Sequence, residues 1–177
     1  MDLVHQVATG GWKMKLFLAP IAGLFYLSLI AFFILASLVV DRWLAFPKTA
    51  VYPLSLVIGC CLIAFGLFLT LLSVAYFLRA RGTPVPLSPP PRLVAAGPYR
   101  FARNPMLTGI FIQLIGIAVA LGSLSLAFIF TPLFIIINVW ELKQIEEPEL
   151  TRRFGQAYVE YRKRVPMFFP FSRKTRQ

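Results

Sequence analysis

The sequence predicts an all-α integral membrane protein of about four transmembrane helices, the last two a short hairpin, followed by a C-terminal interfacial amphipathic helix. Three observations carry that prediction. Hydrophobic residues make up 58% of the chain and charged residues 14%, against about 25% charged in a typical soluble domain. The apolar residues fall in long uncharged runs, which read as membrane spans rather than as a large core. The surplus of positive charge, +11 net, flanks those runs.

The first run, Leu16 to Val40, reaches about 37 Å as a helix, enough to cross a ~30 Å hydrocarbon layer with some tilt. It exceeds the ~7–15 residues of a cleavable signal core, so it is expected to remain as a helix. Tyr52–Leu78 spans in the same way. From Ile110 to Trp140 no charge occurs, and one helix of that length, about 46 Å, is too long for an ordinary span. Gly122-Ser123-Leu124-Ser125 offers a turn near its middle, which splits it into two short arms, roughly Pro105–Leu121 and Leu126–Trp140.

Lys and Arg set the orientation. With both termini inside, sixteen positive residues lie on the cytoplasmic side and two, Arg42 and Lys48, lie outside. The cytoplasmic loop is punctuated by Gly82-Thr83-Pro84-Val85-Pro86 and Pro89-Pro90-Pro91, so it reads as extended chain. After Pro148, the residues Leu150, Phe154, Ala157, Tyr161 and Val165 recur at helical spacing, with Arg152, Arg153, Arg162 and Lys163 on the remainder. This pattern predicts one amphipathic helix at the headgroup level, stopped by Pro166. Residues 1–80 then form a two-helix membrane segment, and residues 81–177 a core of loop, hairpin and amphipathic helix.

Several function classes are excluded. Basic residues without interleaved aromatics point to membrane lipids, not nucleic acid, as the charged partner. The adjacent Cys60 and Cys61 lie in an apolar run and read as small packing residues; no metal is expected. His5 is the single histidine and sits in a polar tail, so a histidine-based site is not expected. No GxGxxG follows a strand, which argues against the usual soluble dinucleotide fold.

The chemically capable residues cluster in two places: Gly97 to Met106 just before the hairpin, and Glu141 to Glu149 just after it. A hairpin returns its ends to one membrane face, so the basic-aromatic and acidic segments should meet. Gln113 and Asn138 fall inside the hairpin and suit hydrogen bonds across helices. Asp41 and Arg42 read as interface residues at the outer end of the first helix.

The order Gly97-Pro98-Tyr99-Arg100, Arg103-Asn104-Pro105-Met106 with Gly109, Glu146-Glu147, then Phe154-Gly155 with Tyr158, Tyr161 and Val165-Pro166 resembles the isoprenylcysteine carboxyl methyltransferase and phospholipid methyltransferase superfamily. The resemblance covers about residues 90–170. It implies an integral membrane methyltransferase that uses S-adenosylmethionine, with Tyr99, Arg103, Asn104, Pro105 and Gly109 lining the cofactor site and Glu146 and Glu147 at the family's paired glutamates. Glu147 and Arg103 are the catalytic candidates, Glu147 as general base should the acceptor be an amine. Three features depart from the eukaryotic isoprenylcysteine enzymes: they carry His where Asn104 stands, Tyr where Leu107 stands, and a basic residue ahead of the glutamates that has no arginine counterpart here, Lys143 being nearby but not aligned with it. The implied acceptor is a lipophilic or lipidated molecule reached from the bilayer, with a phospholipid amine or a small thiol as alternatives. A non-enzymatic membrane scaffold is the rival of another class. A bacterial inner membrane with both termini cytoplasmic is the expected location.

Overall fold

A computed structural model describes residues 12–47, 52–80 and 93–168. The N-terminal tail with His5, the proline-rich loop from 81 to 92, Lys48 and the end of the C-terminal tail lie outside these residues. Among the described residues every regular element is helical: α1 (Trp12–Trp43), α2 (Leu54–Arg79), a 3₁₀ turn (Gly97–Arg100), α3 (Pro105–Leu121), α4 (Leu126–Phe154) and α5 (Gln156–Arg164).

Three of these helices hold segments long and apolar enough to cross a membrane: Gly23–Trp43, Leu54–Arg79 and Leu126–Phe154. The fourth apolar helix, α3, has 17 residues, or about 25 Å, somewhat less than the hydrocarbon thickness. Their outward faces are apolar and bare, as at Phe25, Phe32, Leu35, Phe65, Phe68 and Ile136. Water would penalise such a surface, whereas lipid tails would not.

Backbone approach holds α2 to α3. Gly59, Gly66 and Ser73 are buried at seven-residue intervals along α2, facing Gly116 and Gly109 of the antiparallel α3. A Cβ on Gly66 would lie 2.5 Å from the Gly109 carbonyl oxygen, and one on Gly59 would lie 2.6 Å from Ala120 Cβ. Lipid supplies no hydrophobic drive between helices, so close van der Waals packing of small residues takes over that role. Cys60 and Cys61 do not share in it: both are exposed on the other side of α2, which corrects their assignment as packing residues.

Polar and aromatic contacts attach α1 to α4. Tyr26 Oη donates to Asn138 Oδ1 at 3.0 Å, while Asn138 Nδ2 donates to the Phe134 carbonyl at 2.8 Å. Phe33 packs edge-on against Phe134 and Phe130, and Phe111 of α3 meets Phe134 from the other side. Gln113 Nε2 donates to Thr70 Oγ1 at 3.1 Å across the α2–α3 seam. Both hairpin amides therefore bond across helices, as their placement suggested.

The hairpin turn falls where the glycine stands. Gly122 takes the left-handed conformation, φ 64°, with its N–H donating to Val119 O and that of Ser123 to Ala118 O, closing α3. Ser123 then caps α4 by accepting from Leu126 N at 3.1 Å. Asp41 accepts from Ser125 N at 2.9 Å, and Ser125 Oγ donates to Ser37 O at 2.8 Å. Asp41 is thus more than an interface residue: its carboxylate satisfies an orphan donor at the start of α4.

Two elements differ from the sequence reading. The second hairpin arm does not stop at Trp140; α4 continues through Glu141 to Phe154, widened by π-helical turns at Leu126–Phe130 and Leu142–Glu146. The single amphipathic helix after Pro148 is instead two helices, because Gly155 at φ 56° ends α4 and starts α5 in a new direction. The buried residue of α5 is Tyr158, three residues before Tyr161 and so on the same side of that helix.

Candidate functional site

The site is assembled at the end of the bundle opposite Gly122, by three segments remote in sequence. Gly97 begins it. A Cβ there would run into the Tyr76 ring, so glycine at φ 60° lets the chain after the loop lie against the end of α2. Tyr99 is buried, its ring 5.2 Å from that of Phe77. Residues 103 and 104 then run beside the segment that follows α5: Arg103 N donates to Pro166 O at 2.8 Å and Asn104 N to Met167 O at 3.0 Å. Pro105 starts α3 directly afterwards, where its missing N–H costs nothing.

Arg103 is the hub. Its Nη1 pairs closely with Glu147 Oε1 and donates to Tyr158 Oη at 3.3 Å, while its Nε donates to Val165 O at 3.1 Å. Arg162 Nη1 reaches the other Glu147 oxygen at 3.4 Å. The Arg103 and Glu147 side chains are only 11% and 13% exposed. Loss of either partner strands a largely buried charge, a change that commonly costs ~3–5 kcal/mol. The predicted meeting of the basic and acidic segments is therefore present as a direct ion pair.

Three tyrosines line this network. Tyr161 Oη donates to the Tyr99 carbonyl at 2.7 Å, tying α5 to the 3₁₀ turn. Burial pushes the Tyr99, Tyr158 and Tyr161 phenols up from their ordinary value. All three stay protonated hydroxyls at neutral pH. The charge of Glu146 also acts on the Tyr99 and Tyr158 phenols. Among the described residues Glu146 has no hydrogen-bond or ion-pair partner, in contrast to Glu147. A cavity of about 430 Å³ opens beside Arg103, between α4, α5 and residues 165–168, within the size range of small-ligand sites.

Of the residues singled out in the sequence, Tyr99, Arg103, Asn104, Glu146 and Glu147 come together at this end. Gly109 lies a turn inside α3, in contact with Gly66 and Thr70, and helix packing alone accounts for a glycine there. Sequence reasoning missed Arg162, assigned to the polar remainder of the amphipathic helix, and the backbone of Val165–Met167, which supplies three acceptors to Arg103 and Asn104. The run Val165-Pro166 was a signal for the latter: its proline halts α5 and leaves carbonyls without helical partners. No three of His, Cys, Asp and Glu among the described residues are arranged to hold a metal.

Comparison with known proteins gives two findings. The family model for phospholipid methyltransferases matches residues 54–157, from the start of α2 into α5. A protein-S-isoprenylcysteine O-methyltransferase of Schizosaccharomyces pombe is 35% identical over 82 residues, covering 44% of this chain and 33% of the yeast protein. This chain thus matches about a third of the length of that relative. No solved structure matches.

Proposed function

We propose that this chain, which belongs to the phospholipid methyltransferase family, transfers a methyl group from S-adenosylmethionine to a lipophilic acceptor at the cytoplasmic face of its membrane. One observation carries the reading: two neighbouring glutamates have opposite circumstances. Glu147 has both oxygens engaged by guanidiniums, whereas Glu146 stands partly buried, its charge acting on Tyr99 and Tyr158, with no partner of its own among the described residues. A half-buried carboxylate without a donor suits a ligand that brings hydroxyls and an ammonium group.

When bound, the cofactor supplies an electrophilic methyl carbon. The residues of this chain bind and orient. Glu146 accepts hydrogen bonds from the ligand, while Asn104 and Pro105 hold the start of α3 against residues 166–167. Glu147 acts through Arg103, as a positioning residue, since two guanidiniums occupy its oxygens. An amine acceptor would therefore hand its proton to Glu146 instead of Glu147; a carboxylate acceptor needs no base. Holding the acceptor in line with the methyl group, away from water, provides much of the rate enhancement. In this reading α3 completes four crossings, α5 lies at the headgroup level and both termini are cytoplasmic.

The test is calorimetry of the detergent-purified protein with S-adenosylhomocysteine. Glu146→Gln should weaken binding by about 10- to 150-fold, the equivalent of ~1.5–3 kcal/mol for a charged hydrogen bond. If the Glu146 variant bound as the parent does, the site would lie elsewhere. Labelled methyl donor with membrane lipid extracts then identifies the acceptor, and absence of both binding and transfer would favour a scaffold.

A further inference from the structure

The cavity beside Arg103 has a composition that methyl transfer does not explain. Four cationic side chains line it, Arg103, Lys143, Arg162 and Lys163, together with apolar residues such as Val139 and Phe168. Two carboxylates pair with them directly, Glu147 with both arginines and Glu160 with Lys163 at 3.0 Å, and Arg103 also feels the charge of Glu146. Lys143 has no hydrogen-bond or ion-pair partner among the described residues. The wall therefore keeps an excess of positive charge over an apolar floor.

Its position extends that chemistry into the bilayer. Ile136, Val139, Trp140 and Lys143 follow one another on one side of α4 at helical spacing, and Ile136 and Trp140 are 64% and 61% exposed. Trp140 has the amphipathic ring favoured at membrane interfaces. An amphiphile whose tails lie along Ile136 and Trp140 would bring its head to Lys143. The volume, about 430 Å³, suits a headgroup and not a whole lipid.

We infer that this cavity is a binding site for the phosphate headgroup of an anionic membrane lipid, entered sideways along the Ile136–Trp140 face of α4. It stands apart from the methyl-transfer reading, because it requires only the cavity, its charge and a surrounding bilayer. Charge complementarity sets the preference: a zwitterionic lipid brings its own cation to a wall that already has too many, whereas phosphatidylglycerol brings a net negative charge.

Native mass spectrometry of the delipidated full-length protein with phosphatidylglycerol or phosphatidylcholine tests this directly. Phosphatidylglycerol should be retained preferentially, and Lys143→Gln and Lys163→Gln should each lower its retention by about fivefold. A control pair, Arg152→Gln with Arg164→Gln, removes the same charge from exposed positions outside the cavity and should change retention by less than twofold. Equal retention of the two lipids, or an equal loss in the control pair, would reduce the cavity to a diffusely basic surface and overturn the inference. Calorimetry with S-adenosylhomocysteine on the lysine variants separates the remaining source of an anion. Unchanged binding supports a lipid site, and a parallel loss would assign the cavity to the carboxylate of the cofactor.

Discussion

The two ends of the helical bundle use polar residues in opposite ways. At the Gly122 end, Asp41 and Ser123 accept from the Ser125 and Leu126 N–H groups that the start of α4 would leave orphaned, and Ser125 Oγ donates across to the Ser37 carbonyl of α1. Two of these bonds are caps and the third ties α4 to α1, and most of the residues involved are small. At the other end Arg103 bonds Glu147 and Tyr158, 44 and 55 residues further on, and Arg162 joins the same Glu147. One partner there, Glu146, is left over. A helical bundle needs caps to fold in lipid, but it does not need a partly buried charged network with an uncommitted carboxylate. The comparison separates an end built for stability from one built to hold something.

The sharpest way to break that contrast is Arg103→Ala. It removes bonds to Glu147, Tyr158 and Val165 together and should cost ~3–5 kcal/mol, read as a large drop in melting temperature in detergent and loss of S-adenosylhomocysteine binding. Arg103→Lys should restore little, because a single ammonium lacks the planar fork that serves three acceptors. An arginine variant that melted like the parent would show that this end is not a network at all.

Next in size is Gly66→Val, in the seam that joins both ends. The added side chain meets the Gly109 carbonyl and Gln113, and overpacking should cost ~1–3 kcal/mol or more, measured as lower melting temperature. Site and caps should suffer together, so a variant that lost ligand binding alone would contradict a shared scaffold. Asp41→Ala is a milder change, about 1 kcal/mol for one cap, and S-adenosylhomocysteine binding should stay as in the parent. Coupling between Asp41 and the ligand would mean that the two ends are not separable. Cys61→Ala, on the exposed side of α2, should shift stability by less than about 0.5 kcal/mol; a larger loss would reveal a contact on that face.

Much of the molecule was legible from the residues. Long apolar runs are a one-dimensional signal, and so are Gly122 as the turn and Pro105 as a helix start, since their physical causes are local. The meeting of Arg103 with Glu147 followed from a single topological step, that a hairpin returns its ends to one side. Gln113 and Asn138 were legible as cross-helix residues because amides in an apolar helix must find partners. The continuous apolar pattern hid two things. Gly155 fell inside the one helix read between Pro148 and Pro166, although its positive φ divides α4 from α5. Arg162 looked like one more cation on the polar side of the amphipathic helix, although it reaches Glu147 at 3.4 Å.

The sequence by itself therefore determined the class of fold, the helices and the residue types available for chemistry, because hydropathy and helix-breaking act over a few residues. Tertiary structure alone decided which glutamate is engaged and which remains uncommitted. That choice depends on the π-helical turn at Leu142–Glu146, which inserts an extra residue and rotates the helix beyond it by about 100°. It also depends on the return of α5, which brings Tyr158 and Arg162 to the Arg103–Glu147 pair. Two adjacent carboxylates are chemically equivalent in a sequence. They become different only when three remote segments bring two guanidiniums into bonding reach of one of them and none into such reach of the other.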